Sequence, residues 1–450
     1  MRRLALFLVS SILLVLLVGT VAAQEEVTLV IWGEGGITQC AADMNADACT
    51  PYGRTVIEGW QAAHPNIKLQ IEDHGWDEEL RQNIVTAQLG GTAPDIITGE
   101  SFMPSLVANG SLAPLAISPE VLDNQVPGPL LPVTDADGTI YGIAAFTAVF
   151  ALEVNADVVR KAGLDPDTLD LSTWNKVLDV ARQISAAGNG EYYGFSLLGP
   201  TQWPVAAQFR VAPYVYQTGA DFCDEGCVNP TWNDEASIKV YQWFRDLYQL
   251  TPPGLAFNGD EGFVFSQLFT GLDAMQTAGA WHPAWAASSG CTDCRYFPLP
   301  VPDEGGARAN VVVGNANYAV LESSEYKEEA MMFLEWLVSD EVQRDAFWAY
   351  GRLPSTYTGL QDIAAVADGA TDTVPEYWDG EEATAFTGRF LGYIDELLNG
   401  DVRKLPAWAN NYPELNALWN TMFGEILTSD RSVEEILNDY QAQAEAIAAS

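Results

Sequence analysis

The clearest periodic signal runs from Val27 to Ile97. Val27–Trp32 is a short apolar run, the pattern of a buried parallel strand. Val56, Ile57, Trp60 and Ala63 share one helical stripe, which His64-Pro65-Asn66 ends. Ile67, Leu69 and Ile71 then alternate as a strand does. Trp76, Leu80, Ile84 and Ala87 form a second stripe, stopped by Gly90-Gly91. Pro94-Asp95-Ile96-Ile97 reads as a third strand. Strands alternating with helices predict an α/β sheet, in which ligands sit beyond the carboxyl ends of the strands. Those ends are Trp32-Gly33-Glu34 and Thr98-Gly99-Glu100-Ser101.

The rest of the chain continues the mixture. Gly35–Pro51 reads as a loop inserted between the first strand and helix, and Pro127–Pro132 as irregular. Asp137-Gly138 is a turn signal ahead of TIYGIAAFTAVFALEVN, a strand or two. Thr173 can cap a helix whose stripe is Trp174, Val177, Leu178, Ala181 and Ile184. Tyr193–Leu197 reads as a strand, and Gln202–Gln217, Ala236–Tyr248 and Glu261–Thr270 as helices. Strands are expected at Leu272–Thr277, Tyr296–Pro302, Asn310–Val313 and Asn317–Leu321. Ser324–Val338, Asp340–Trp348, Leu415–Leu427 and Val433–Ala449 read as helices, and Asp362–Tyr377 as loop. No period of 20–50 residues recurs, so a solenoid is excluded.

Met1–Ala23 stands apart. Arg2-Arg3 precedes an apolar run, and Val21-Ala22-Ala23 offers small residues for cleavage, which reads as a secretory signal peptide; an uncleaved anchor is the alternative. Export changes the reading of the six cysteines. Cys40/Cys49, Cys223/Cys227 and Cys291/Cys294 are close pairs, read most simply as local disulfides. The last two pairs also suit a four-thiolate zinc site, against which an oxidising compartment argues. His64, His74 and His282 lack metal-ligand spacing, and no nucleotide, protease or esterase motif is present. No metal or cofactor is therefore expected. The formal charge is −40; without Arg2 and Arg3 the 21 bases fall to 19 and the charge to −42. Such a chain is repelled by duplexes and anionic membranes, so nucleic-acid binding is excluded.

Seven segments in order carry a resemblance. They are the WGEGG strand, VIEGWQAAHPNIKLQIE, APDII, DGTIYGIAAFTAVFALEVNADVVRKAGL, LSTWNKVLDVARQI, GLDAMQTAGAWHPA with YFPLPVPDEGG, and VVVGNANYAVLESSEYKEEAMMFLEWLVSDEVQRDAFWAYGRLPS. Together they resemble the sugar-binding family 1 of extracellular solute-binding proteins of ABC importers, the relatives of maltose-binding protein. Ala144 stands where a proline is usual, and the cysteine pairs are not typical. The resemblance implies a two-lobed, periplasmic-binding-protein-like α/β fold with a hinged cleft between the lobes. Lobe one is expected at about 27–145 plus 303–352, and lobe two at 146–302 plus 353–450. It further implies a monomeric, extracytoplasmic, non-enzymatic protein that delivers a carbohydrate, an oligosaccharide, to membrane permease subunits. Family members of this kind also carry glycerol phosphates, polyamines and other solutes. A secreted glycoside hydrolase is the rival from another class, since it too needs aromatics and acids; a surface adhesin is a third reading.

Sugar recognition needs flat rings over the apolar faces of a pyranose and planar polar groups on its hydroxyls. Trp281, after Gly279, stands where the family has a stacking aromatic. Trp203 enters a helix, Trp32 and Glu34 end the first strand, and Phe146 lies at the expected lobe crossing. Asp95, Glu100 and Ser101 flank the third strand. Asn315, in a turn with Gly314, offers an amide, and Arg352 a fork of donors. Trp419 matches a position where the family directs an aromatic to the cleft. Trp60, Trp174, Trp243 and Trp336 fall on helix stripes and read as packing.

Overall fold

The computed structural model describes residues 26–200, 204–224, 226–406, 408 and 411–450; the expected leader at 1–23 and Trp203 lie outside them. Among the described residues ten strands follow in order: β1 (Val27–Trp32), β2 (Ile67–Glu72), β3 (Ile96–Gly99), β4 (Gly142–Ala144), β5 (Phe150–Asn155), β6 (Met275–Gly279), β7 (Cys294–Phe297), β8 (Asn310–Val311), β9 (Asn317–Val320) and β10 (Val402–Arg403). The larger sheet has the order β2-β1-β3-β9-β4. β1 pairs in parallel with β2 and β3, and the chain returns later as β9, antiparallel to β3 and β4. Leu29 and Ile31 pack with Val56, Trp60 and Phe333, while Ile97 packs with the cluster that holds Leu80 and Ile84. Along β1, Val27, Leu29 and Ile31 bury one face, while on the other Thr28 is exposed, Val30 half-buried and Trp32 buried.

The smaller sheet, β6-β5-β7, is antiparallel throughout. Trp174, Tyr214 and Trp243 form its neighbouring aromatic core, with Trp174 and Trp243 stacked at 5.3 Å. β8 pairs with β10, and the larger sheet resumes at Asn317, where a strand is expected. No helix among the described residues is long and apolar enough to cross a membrane.

Three segments connect the two sheets. They run through 145–149, 312–316 and 351–355, and they bond to one another. Thr147 donates its N–H to Leu353 O at 2.9 Å, Val313 to Ala148 O at 3.0 Å, and Ala145 to Ala316 O at 3.1 Å. The buried Gln343 amide donates to Ala145 O at 2.6 Å and accepts from Ser355 N at 2.9 Å. Asn310 clamps the start of β5, accepting from Phe150 N at 3.0 Å and donating to Phe150 O at 2.9 Å.

Several local expectations are corrected. Gly35–Ala42 is a helix, not a loop, because the Glu34 carboxylate accepts the orphan Gly36 N–H at 2.5 Å and caps it. The first helical stripe passes through a π-helical turn at Thr55–Gly59. Pro127–Val133 forms two short helical turns. Tyr193–Leu197 makes only single bridges, at Tyr193 and Ser196. Tyr357–Ala367, Gly380–Gly388 and Leu391–Asn399 are helices in the segment read as loop or left unassigned. Thr173 does not cap its helix with its side chain; Asp303 accepts from Asn175 N and from the Thr173 hydroxyl instead.

The cysteines pair as local disulfides: Cys40 with Cys49, Cys223 with Cys227, and Cys291 with Cys294. No thiol is left free among the described residues, which removes the four-thiolate zinc alternative. The Cys223–Cys227 loop leads into a strand-like bridge, Cys223 to Pro230, and the Cys227 backbone is left-handed at φ 53°. That conformation is uncommon for a residue with a Cβ, and a spacing of four residues gives no sign of it in the sequence.

Removing the Asn310 clamp strands two buried backbone groups of Phe150. Asn310→Ala should therefore cost about 2 kcal/mol in urea unfolding, and a loss under about 0.5 kcal/mol would show the clamp to be dispensable.

Candidate functional site

A cavity of about 340 Å³ opens where the two sheets and the crossings meet. The larger-sheet side supplies Glu34, Trp76, Asp77, Glu100 and Ser101. The smaller-sheet side supplies Phe209, Arg210, Glu261 and Trp281. Each crossing adds to the floor: Phe146 from the first, Val313 and Gly314 from the second, Tyr350 and Arg352 at the third.

The first-strand loop is tightly wired. Glu34 donates its N–H to the Tyr318 hydroxyl at 3.1 Å, and its Oε2 accepts from Tyr350 at 3.2 Å. Its other oxygen, Oε1, is buried without a protein partner. Burial raises the Glu34 carboxyl above the usual range, partly offset by the Gly36 N–H and the Arg352 charge. The Arg352 guanidinium lies 4.9 Å from the Tyr350 ring centre, 5.7 Å from Phe146 and 5.8 Å from Trp281, and its Nε is buried and unpaired. It is held by aromatic faces rather than by an acid.

A second acidic group sits beyond β3. Glu100 accepts the Asn315 N–H at 3.1 Å, yet burial and the nearby Asp77 push it up to about 8. Asp77 accepts from the Ser101 hydroxyl at 2.5 Å and is pushed up by burial to about 6. Asp77 also holds a left-handed backbone, φ 50°, a strained state for a non-glycine residue and of a kind that collects at functional sites. Across the cavity, Arg210 pairs with Glu261 at 3.2 Å and donates to Ala206 O at 3.0 Å; its burial lowers its affinity for the proton.

Trp281 precedes the His282–Ser288 helix and is half-buried. Two glycines cradle its ring. A Cβ on Gly279 would fall 2.2 Å from Trp281 Cζ3, and one on Gly314 would fall 3.0 Å from the same atom. Gly314 also has φ +63°, so glycine is required there twice over. Gly351, φ +69°, approaches the same helix so closely that its Cβ would meet Ala284 Cβ at 2.4 Å.

Of the residues singled out by sequence, Glu34, Glu100, Ser101, Phe146, Trp281 and Arg352 line the cavity together. The rest are placed elsewhere. Asp95 sits at the opposite end of β3, where it accepts from Val30 N at 2.9 Å and Ser324 Oγ at 2.6 Å and ties strands together. Trp32 stacks on His74 at 3.8 Å and donates to Glu72, outside the lining. Asn315 lies just behind the floor, its side chain accepting from Thr147 at 2.7 Å. Trp419 is fully buried, stacked on Phe423 and donating to Tyr241 at 2.8 Å, so it packs the core. The disulfide cysteines Cys40, Cys49, Cys223, Cys227, Cys291 and Cys294 also stand outside this lining. Trp60, Trp174 and Trp243 are core residues as read, and Trp336 is half-buried, donating to Val56 O.

Sequence reasoning missed Trp76, Asp77, Phe209, Arg210, Glu261 and Tyr350. Trp76 fits a helical stripe in the sequence, but it is the residue before the helix Asp77–Gly90, in extended conformation, and faces the cavity. Tyr350 adjoins the Gly351-Arg352 break, which was a usable signal. Phe209 and Arg210 lie in a helix so apolar that its periodicity does not single out a cavity face.

Two α/β lobes joined by three bonded crossings, with a mixed acidic and aromatic cavity at the joint, define a two-lobed binding-protein fold. The comparisons agree. Residues 50–344 match the family model described as bacterial extracellular solute-binding protein, and the chain belongs to that family. An arabinooligosaccharide-binding protein of Halalkalibacterium halodurans is 23% identical over 309 residues, 65% of either chain, so the matched span falls just short of two thirds of that relative. A protein with the same description from Bacillus subtilis is 21% identical over 76% of this chain and 78% of its own. Among solved structures, a cyclic alpha-maltosyl-1,6-maltose binding protein of Arthrobacter globiformis has TM-score 0.73 at 18% identity, over 94% of this chain and 99% of its own. The GacH receptor of Streptomyces glaucescens has TM-score 0.70 at 18% identity, over 95% and 100%. These two structures show the fold.

The raised acids make stability pH-dependent. Glu100 is neutral when folded and ionised when unfolded between its ordinary 4.5 and about 8, so the folded state holds the extra proton there. Stability should fall as pH rises from 5 to 8, by up to about 1.4 kcal/mol per unit for each such proton. Glu100→Gln should flatten the fall in thermal melts across that window; an unchanged slope would mean that Glu100 is ionised in the folded protein.

Proposed function

We propose that the protein is the extracytoplasmic binding component of an ABC importer, which closes on a carbohydrate and hands it unaltered to membrane permease subunits. The observation that carries this reading is the composition of the cavity. Flat rings of Trp281, Phe146 and Tyr350 stand beside close-set acceptors and donors on Glu34, Glu100 and Arg352. A pyranose offers apolar C–H faces to the first and hydroxyls, both donor and acceptor, to the second. Neutral Glu100 can donate as well as accept, which suits hydroxyls better than a fixed charge would.

The relatives named for arabinooligosaccharides and for a cyclic maltooligosaccharide support a carbohydrate, and specifically an oligosaccharide. Lobe one comprises 27–145 with the return segment ending near 352, and lobe two the remainder. The floor of the cavity is built from the crossings, so ligand contacts bear directly on the hinge, and differential contact in the closed state shifts the lobes toward closure. The protein works as a monomer, and the Met1–Ala23 segment directs its export.

One observation favours the hydrolase rival: a cleft acid at about 8 beside a second carboxyl resembles a proton donor. Incubation with oligosaccharides should release no reducing ends, and turnover would overturn the transport reading. Titration of tryptophan fluorescence against a saccharide library should give saturable binding, weakened tenfold or more in Trp281→Ala. Unchanged affinity in that variant would remove Trp281 from the site.

A further inference from the structure

The segment that follows β1 is weakly built, yet it presses on the cavity wall from two sides. Its first helix, Gly35–Ala42, starts on two glycines, the poorest helix formers apart from proline. Residues 41–48 beyond it are all exposed or half-buried. The next helix, Pro51–Arg54, is a single turn, capped by Thr50 Oγ1, which accepts from Gly53 N at 3.3 Å. The Cys40–Cys49 disulfide ties the two helices across this stretch, and both of its cysteines are buried. The backbones close tightly at the tie: a Cβ on Gly53 would fall 2.4 Å from Gly36 O and 2.5 Å from Cys40 Sγ.

Both helices meet the same ring. From the first, a Cβ on Gly36 would fall 2.9 Å from Tyr350 Cε1 and 2.8 Å from Glu34 Oε1. From the second, Tyr52 stacks on Tyr350, with ring centres 5.3 Å apart and planes 1° from parallel. Tyr350 donates to Glu34 Oε2 at 3.2 Å and carries the Arg352 guanidinium at 4.9 Å from its ring centre. Glu34, Tyr350 and Arg352 all line the cavity. The chain beyond the second helix is anchored separately. There the Thr55 hydroxyl donates to Asp345 at 2.5 Å, and Trp336 donates to Val56 O at 3.0 Å. Loss of the tie therefore loosens the first helix and the stretch after it, and leaves the rest of the lobe standing.

We propose that the Cys40–Cys49 disulfide is a positioning element of the binding site, which holds Glu34, Tyr350 and Arg352 in place before a guest arrives. This rests on the carbohydrate reading of the cavity. A crosslink removes loop freedom that would otherwise compete with the ordered segment. Without it the segment opens locally, and only the ordered fraction of molecules binds at full strength. The cost falls on affinity, because a guest must then order the wall that it touches.

The test compares the wild type with Cys40→Ser/Cys49→Ser and with Cys223→Ser/Cys227→Ser, whose crosslink stands outside the cavity lining. Affinity is measured by calorimetry with maltotriose and with 1,5-linked arabinotriose. Hydrogen exchange is followed by mass spectrometry over 33–42 and, as a reference, over β2. For whichever sugar binds, the first variant should lose about tenfold or more in affinity, the result of an ordered fraction near one in ten. Segment 33–42 should lose its protection in that variant and regain it under saturating sugar, while β2 stays protected throughout, which shows that the protein is folded. The Cys223→Ser/Cys227→Ser variant should keep the wild-type affinity. Reduction of the folded wild type with dithiothreitol, which leaves both side chains in place as thiols, should reproduce the loss. Wild-type affinity without the Cys40–Cys49 bond overturns the inference and leaves the carbohydrate reading intact. So does an affinity loss with 33–42 as protected as in the wild type, since the disulfide then does not act through this segment. Binding of neither sugar by the wild type removes the carbohydrate reading, and this one with it.

Discussion

The hydrogen bonds among the three crossings are the constraint on which the rest of the molecule depends. Thr147, Val313 and Ala145 each donate a backbone N–H to a neighbouring crossing, and Gln343 and Ser355 bond to the carbonyls at 144 and 145. A segment joining two lobes has few partners of its own, so its buried backbone must be satisfied laterally. Lateral pairing makes the joint a narrow, hydrogen-bonded ribbon. It also fixes the positions of Phe146, Gly314 and Arg352, one from each strand of the ribbon. The joint and the cavity floor are the same piece of chain. A ligand that rests on them touches the part of the protein that must move, so no separate relay between site and hinge is required.

Electrostatics in the cavity follow from crowding. A chain with 61 acids and 21 bases places Glu34, Asp77, Glu100 and Glu261 around one space, with Arg210 and Arg352 the bases among the described residues of its lining. Arg210 is committed to Glu261. Burial and mutual repulsion then leave Glu100 and Asp77 holding their protons well above the ordinary carboxyl range. Neutral carboxyls cost less to bury than ionised ones and can act as both donor and acceptor. This is a suitable lining for a guest covered in hydroxyls and a poor one for a small anion.

The fold was largely legible in the sequence because its elements are long or strongly patterned. The unbroken run of β1, the alternation in β2 and the Gly90-Gly91 stop each have a local cause, and the structure reproduces them. The failures are also local. Gly35–Ala42 begins with two glycines, which argue against a helix, and the Glu34 cap, the disulfide to Cys49 and the buried Ile37 hold it. The site was half legible. Residues at strand ends and at glycine or proline breaks were found, because those breaks mark crossings. Residues carried on long helices were not, since Arg210 and Glu261 owe their placement to packing between distant segments. Asp95 and Trp419 show the converse: a plausible position in the chain says nothing of which end of a strand or which side of a helix meets the cavity.

The close approach of Gly351 to Ala284 carries a consequence for how such a protein changes its menu. The distance between the third crossing and the Trp281 helix is set by bare backbone against a methyl group. Only the Ala284 methyl can be trimmed, and any addition at either position drives the two apart. The gap is thus within one methyl group of its minimum, and any larger side chain at either position widens it. A wider gap is reachable by a single substitution, whereas a much narrower one would demand rebuilding the main chain.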